Sequence, residues 1–315
     1  MYKLDNLSTD TTPFTNLLRT KWDELHDNTD AFRYKINRRQ EKLVDGKYLL
    51  VLNPDRRAKR RKPEEMNDIC QPFDKNKFNF TKVSLEEILF SIKGKDSDIH
   101  AVLVNVSPIT RYHSLLCPSV NKCLPQVVTP DSLALVVEIM FIAQDRDLRI
   151  GYNSMCGYAS VNHLHYHLFL EEQSLYVESA EWQHIKGCIY CLKDTYPVQA
   201  FCFEIHRHDS AVVLKEINKV IDYLLKKSIA HNILLTKRQR KGGNEDAVNV
   251  IIWPRKNTGG AKLLAAFNVA MLELCGFFTI YDGEEWNNIQ AEVLEKELSK
   301  WKIDFSQLCE EIKCL

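Results

Sequence analysis

ASVNHLHYHLFL, residues 159–170, carries histidines at 163, 165 and 167. A β-strand sends alternate side chains to one face. A strand here therefore groups the three imidazoles, successive rings about 6–7 Å apart at a rise of about 3.3 Å per residue. The other face carries Asn162, Leu164, Tyr166, Leu168 and Leu170, mostly apolar and suited to a core. Three aligned polar rings cost stability, and they suit a site that handles phosphate or a metal ion. A neutral imidazole attacks phosphorus when its second nitrogen donates to a fixed acceptor, and nearby donors steady the phosphoryl oxygens. Ser160 and Asn162 are candidate donors to such an anion. The H-x-H spacing alone suits a metal equally well, with a further ligand drawn from elsewhere.

The flanking segments set the fold class. HAVLVNVSP (100–108) and HSLLCP (113–118) read as buried strands joined by a hairpin over Ile109–Tyr112. SLALVVEIMFIAQD (132–145) reads as a helix with Pro130 and Asp131 as its start signal, and LRIGYNS (148–154) as the strand before the histidines. This order predicts an α+β fold, an antiparallel sheet flanked by helices. A weaker echo follows, with a strand at AFCFEIH (200–206) and a helix at VLKEINKVIDYLLKKS (213–228). HNILLTKRQ (231–239) and AVNVIIWPRK (247–256) then read as a strand pair joined by KGGNED. The expected division is a histidine-bearing half over 13–185 and a second half of the same plan over 186–315. Residues 1–12 are polar and expected to be disordered.

Further elements are expected around this frame. Phe14, Leu17, Leu18, Trp22 and Leu25 have helical spacing. AFRYKI (31–36) and KYLLVLNP (47–54) read as strands, and Leu85 to Ile92 as a helix. AKLLAAFNVAMLELCGFF (261–278) reads as a helix suited to a core or to a partner, which keeps a homodimer open.

Of 315 residues, 42 are Lys or Arg and 42 Asp or Glu, so the net charge is zero. That balance argues against a dedicated binder of nucleic acid or of a membrane surface. The opening MYKLDNLSTDTTPF lacks a basic segment followed by an apolar one, and no long apolar run suggests a membrane span. A cytoplasmic protein with reduced thiols is expected. Cys188 and Cys191 have the spacing of half a zinc site, with His184, His206 and His208 near in sequence; buried free thiols are the plainer reading. The burst DRRAKRRK (55–62) offers Arg56, Arg57, Arg60 and Arg61, which suit phosphate through bidentate donation or lie solvated in a loop. Trp253-Pro254-Arg255 is a candidate wall of the same pocket or an edge-strand cap.

Asn153 followed by Ser160-Val161-x-His163-x-His165-x-His167 resembles the signature of the histidine triad superfamily of nucleotidyl transferases and hydrolases, with Ala159 in the place of its glutamine. VNVSPITRYHSLLCP (104–118) resembles that superfamily's hairpin, with Tyr112 in the usual glycine position beside His113. LRTKWDELHDNTDAFRYKIN (18–37), LNPDRRAKRRKP (52–63), QPFDKNKFNF (71–80), GYNSMCGYASVNHLHYH (151–167) and FNVAMLELCGFF (267–278) narrow the resemblance to the GDP-D-glucose phosphorylase family, relatives of the plant GDP-L-galactose phosphorylases. It covers the chain from Leu17 to Tyr281.

The resemblance implies two histidine-triad-like halves and phosphorolysis of GDP-hexose by inorganic phosphate, through a guanylyl-histidine. By motif position the nucleophile is His165, His163 orients it or places its proton, and His167 bonds the α-phosphate or the leaving oxygen. Asn153 and Ser160 fix the phosphates. Asn162, Arg56, Arg60 and Arg61 complete the expected substrate contacts. No cofactor is implied, and no metal is required. The rivals are a histidine-triad hydrolase using water, a silent GDP-sugar-binding regulator, and a metal-dependent enzyme.

Overall fold

The expected histidine strand forms only from Tyr166 onward, and the reason lies in the architecture around it. The structure, a computed structural model, describes residues 1–7, 13–36, 39–60, 66–94, 97–143, 145–237, 247–258 and 268–315. The strands are β1 (Tyr2–Lys3), β2 (Gln40–Val44), β3 (Tyr48–Leu52), β4 (Ile88–Lys93), β5 (Ile99–Val104), β6 (Ser114–Cys117) and β7 (Leu148–Asn153). They continue with β8 (Tyr166–Leu170), β9 (Trp182–Lys186), β10 (Ile189–Leu192), β11 (Phe201–Ile205), β12 (Ala230–Thr236), β13 (Val248–Arg255) and β14 (Phe277–Ile280). The helices include α1 (Phe14–Asn28), α2 (Pro54–Lys59), α3 (Pro130–Ala143), α4 (Ser210–Lys226), α5 (Met271–Leu274), α6 (Gly283–Asn288), α7 (Ala291–Ser299) and α8 (Phe305–Lys313).

Among the described residues, eleven strands form one sheet in the order β1-β4-β5-β6-β8-β7-β12-β13-β11-β10-β9. The expected repeat is visible in that order. Strands β4, β5 and β6, helix α3 and strands β7 and β8 give the spatial order β4-β5-β6-β8-β7. Strands β9, β10 and β11, helix α4 and strands β12 and β13 give β9-β10-β11-β13-β12. The two units meet edge to edge where β7 pairs antiparallel with β12, from Asn153↔Asn232 to Arg149↔Thr236. The predicted α+β fold with an antiparallel sheet is thus observed, with β1 as a parallel addition against β4.

Strand alternation sorts the side chains into layers. Val102, Leu116, Leu168, Ile150, Ile233, Val250 and Phe203 form one core with α1, α3, α4 and α8. On the other face, Leu234, Ile251, Trp253 and Cys202 are covered by the small sheet β14-β3-β2 and by α5 and α7. That cover reaches Gly151 and Phe169 of the first unit and stops short of β5 and β6. There Ala101, Leu103, Leu115 and Cys117 meet only Phe80 and Val161 with a few partly buried neighbours, and a cleft remains.

Several expectations fail locally. The helix expected from Leu85 to Ile92 is one short turn at Leu85–Glu87 followed by strand β4; the β-branched and aromatic residues of β4 pair with β5, and that pairing outweighs the local helix signal. Residues 31–36 form no strand: Phe32 and Tyr34 are buried, and the Arg33 N–H donates to the Val106 carbonyl. The helix expected over 261–278 is helical at Met271–Leu274, ends at Gly276 in the left-handed conformation, and continues as β14, parallel to β3; residues 261–267 lie outside the described residues. Within 1–12, Tyr2–Lys3 join the sheet and Leu7 is fully buried, while 8–12 lie outside the described residues. The expected turn KGGNED also lies outside them.

Buried polar groups tie the layers together. Arg149 donates from Nε and Nη2 to the two carboxylate oxygens of Glu178 at 3.0 and 2.9 Å, with both side chains almost fully buried. Its remaining N–H groups reach the carbonyls of Asp147, Glu171 and Gln173, and Glu178 also accepts from Leu175 N and Thr236 Oγ1. His113, His163 and His231 have no exposed surface. Burial lowers the proton affinity of all three, to about 4 for His163 and His231.

Glu178→Ala leaves a buried guanidinium without its counter-charge, and we expect a loss of about 3–5 kcal/mol in unfolding free energy by urea titration. The buried histidines set a pH dependence. Their folded-state affinities lie below the ordinary value of 6.5, so their contribution is complete above pH 6.5 and is lost as the pH falls toward 4, because the unfolded chain takes up protons that the folded chain refuses. Denaturant titrations between pH 7 and 4 should show a decline on the order of 3 kcal/mol for each of His163 and His231; a flat profile would exclude it.

Candidate active site

The segment before β8 is held out of the sheet by bonds directed elsewhere. Leu164 N donates to the Leu124 carbonyl. Asn162 Oδ1 accepts from Gln126 N, and its amide donates to the carbonyls of Gln71 and Pro72. Gln126 holds the next turn of chain: Oε1 accepts from His165 N at 2.8 Å, and Nε2 donates to the carbonyls of His165 and Asn153 at 3.0 and 2.9 Å. With its main-chain groups satisfied this way, the segment reaches the ladder only at Tyr166, opposite Leu116.

The three rings consequently do different things. His163 turns inward, where Nδ1 accepts from Phe80 N at 3.0 Å and the ring packs against Phe73 and Phe80. It does not line the cleft, contrary to the single histidine face expected from alternation. His165 and His167 both line it, with ring centroids 5.4 Å apart.

Tautomers follow from the hydrogen bonds. His165 Nδ1 lies 2.7 Å from the His163 carbonyl, so Nδ1 carries the proton and Nε2 is unprotonated in the neutral ring. His113 Nδ1 accepts from Ile109 N at 3.0 Å, so His113 is protonated on Nε2. That N–H donates to His167 Nδ1 at 3.0 Å and leaves the His167 proton on Nε2. The contact of Asn105 Nδ2 with His113 Nε2 at 3.2 Å cannot then be a hydrogen bond, since both nitrogens are donors. His113, fully buried, belongs to the site although alternation could not reveal it; the cue is its place beside the hairpin turn. That turn does contain a left-handed residue, Tyr112 at φ +65°, where a glycine is usual. A tyrosine there costs about 1–2 kcal/mol. Ring contact with Trp22 and a bond from its hydroxyl to Asp23 Oδ2 hold it.

The cleft is open to solvent. Ser160, Arg56 and Arg60 line it with the two histidines. Arg56 is held by helix α2, whose start Asn53 caps by accepting from Arg56 N at 3.1 Å. Its guanidinium is buried and donates from Nη1 to the Ser107 carbonyl, and its Nε has no partner among the described residues. Arg60 lies over the Tyr281 ring, and Arg57 does not line the cleft. Arg61 lies outside the described residues.

Two further expectations become scaffold. Asn162 is spent on the main chain of 71–72 and 126. Asn153 Oδ1 accepts from Asn232 Nδ2 at 2.6 Å and Met271 N at 3.0 Å, so it fastens the seam between the units. Gly151 nearby packs against the same residue: a Cβ there would meet Met271 Cε at 1.8 Å, so any side chain would require Met271 to move. Arg255 is buried against Tyr158 and Trp301, away from the cleft. Gln126 gave no signal in the sequence, because its role depends on a loop contact. Near Cys188 and Cys191, His184 packs on Tyr190 while His206 pairs with Glu204 and stacks on His208. Among the described residues no three His, Cys, Asp or Glu side chains converge as metal ligands. All ten cysteines are free thiols.

Comparison with known proteins places the chain in a family. Two family models match in tandem, "GDPGP1-like, N-terminal domain" over residues 13–169 and "GDPGP1-like, C-terminal domain" over 171–313. GDP-D-glucose phosphorylase 1 of Danio rerio is 34% identical, over 96% of this chain and 91% of its own. The Homo sapiens protein of that name is 30% identical, over 88% and 76%. GDP-L-galactose phosphorylase 2 of Arabidopsis thaliana is 34% identical over 56% of this chain and 46% of its own. Among solved structures, yeast Ap4A phosphorylase Apa2 in complex with AMP superposes with a TM-score of 0.65 at 16% identity, over 92% of this chain and 97% of that one, a likeness of fold. With tandem domain matches across nearly the whole length and a 34% identical relative aligned over 96% of it, the chain belongs to the GDPGP1-like family.

Proposed function

We propose that this protein catalyses phosphorolysis of GDP-D-glucose, with inorganic phosphate as second substrate, to GDP and glucose 1-phosphate through a guanylyl-His165 intermediate. The observation that carries the reading is the 2.7 Å bond from His165 Nδ1 to the His163 carbonyl, which presents an unprotonated Nε2 beside His167 in a cleft lined by arginines. His165 Nε2 attacks the α-phosphorus, the P–O bond to the sugar phosphate breaks, and glucose 1-phosphate leaves. As the ring takes on positive charge, the His163 carbonyl stabilises the Nδ1 proton. His163 thus serves through its main chain rather than its ring. His167 Nε2–H, fixed by His113, donates to the oxygen between the phosphates and assists its departure. Arg56, Arg60 and Ser160 neutralise and orient the phosphoryl oxygens. Phosphate then attacks guanylyl-His165 from the vacated side, the P–N bond breaks, and GDP leaves with His165 restored.

Among the described residues no helix is long and apolar enough to cross a membrane. A cytoplasmic location accords with the free thiols.

Intact denatured mass after incubation with GDP-glucose and no phosphate should show a guanylyl adduct on the wild type and none on His165→Ala. Added phosphate should discharge it as GDP; discharge by water as GMP at the same rate would make the protein a hydrolase. Gln126→Leu removes the bonds that hold His165 in place, and kcat should fall about 100-fold with little change in KM; a change confined to KM would count against that positioning role.

A further inference from the structure

We infer that Glu87 reads the guanine base through its N1–H and 2-amino group. The assignment rests on the nucleotide site proposed above and gives it base specificity.

The register of the sheet sets the scale. Ile88 pairs with Leu103, Leu103 with Leu115, and Leu115 with His167, so these four side chains form one row across four strands. Three strand spacings separate the ends of that row by about 14 Å. His167 stands at one end, beside the reacting His165 and the His113 that Arg56 neighbours. Between the ends the lining is apolar and aromatic: Leu103 and Leu115 as floor, Phe78, Phe80 and Val161 as walls. Such a slot accepts a flat purine ring better than a hydroxyl-rich hexose. A nucleotide with its α-phosphate at His165 therefore extends its base toward the Ile88 end.

Glu87 lines the cleft at that end, and it is the only carboxylate among the described lining residues. A negative charge close to the phosphates would oppose binding, but about 14 Å exceeds the screening length of about 8 Å at physiological salt. The carboxylate is also held in orientation. Its Oε1 accepts from Ser84 N at 3.1 Å in the capping box that opens the turn Leu85–Glu87. That bond uses one of about four acceptor positions on the group. Guanine places two adjacent donors on one edge, N1–H and the 2-amino group, which match the two carboxylate oxygens. Adenine turns the lone pair of N1 to the same place and is repelled. Hypoxanthine retains N1–H but lacks the amino group, and keeps one bond of the two.

The test is binding of GMP, IMP and AMP by calorimetry to the wild type, Glu87→Gln and Ser84→Ala, with thermal melts as a check on folding. The wild type should bind GMP roughly 10-fold more tightly than IMP and roughly 100-fold more tightly than AMP. Glu87→Gln should reduce the GMP-to-AMP ratio to within about threefold. Ser84→Ala weakens the same turn but keeps the carboxylate, and should retain the preference. A wild type indifferent to the base, or a Glu87→Gln variant with unchanged preference at an unchanged melting temperature, would overturn the assignment. So would a substitution that alters discrimination among GDP-hexoses and leaves that among bases intact. Base selectivity lost in Glu87→Gln, in a protein whose wild type forms no adduct with GDP-glucose, would uphold Glu87 and sink the phosphorolysis reading.

Discussion

The hold of Gln126 on the main chain of His165 decides how this site is built. One buried amide accepts from the His165 N–H and donates to two carbonyls, one in the approach to β8 and one at the end of β7. Because these bonds are made outside the ladder, the chain around 161–165 is free to curl, and the first two histidines separate. One ring goes into the core as a spacer between Phe73 and Phe80. The next faces the cleft with its proton committed to the carbonyl of the first. A regular strand would have placed all three rings alike and left the acceptor for that proton unassigned.

Much of this was legible in the chain. The strands at 100–104, 114–117, 148–153 and 166–170 and the helix from Pro130 follow directly from apolar runs and turn residues. The same signals, repeated from 200 to 255, give the second unit its plan, although little sequence identity joins the two. His165 and His167 were legible because alternation survives into β8, and Arg56 and Arg60 because a basic burst beside an Asn-Pro start is conspicuous. What failed shares a cause. Ile88–Lys93 becomes a strand through its partner β5, Phe277–Ile280 through its partner β3, and His163 turns inward because Phe80 N needs an acceptor. Each depends on a neighbour distant in sequence, which no local period encodes. Asn153 and Asn162 have the right residue type for anion contact, yet Asn153 Oδ1 is taken by the Asn232 side chain and Met271 N, and the Asn162 amide by backbone groups, all of which only the fold brings near.

The electrostatics of the site follow from burial rather than from net charge. A neutral chain gathers Arg56, Arg60 and Glu87 along one cleft with His165 and His167. His113, sealed from solvent and beside Arg56, stays neutral over the physiological range, and so remains a dependable donor to His167. A charged His113 would lose its bond from Ile109 N and release the turn held by Tyr112.

The seam between β7 and β12 has a bearing on how the protein is inherited and made. Five residue pairs cross it, and the helical core runs beneath it without a break. Cutting the chain between its tandem domains would bare a hydrogen-bonding edge on each fragment, in strands whose every residue is buried in the whole. Such edges invite pairing with any available strand. A ribosome that has released only the first unit holds one of these edges open until the second is synthesised, so the nascent half is most prone to aggregation in that interval.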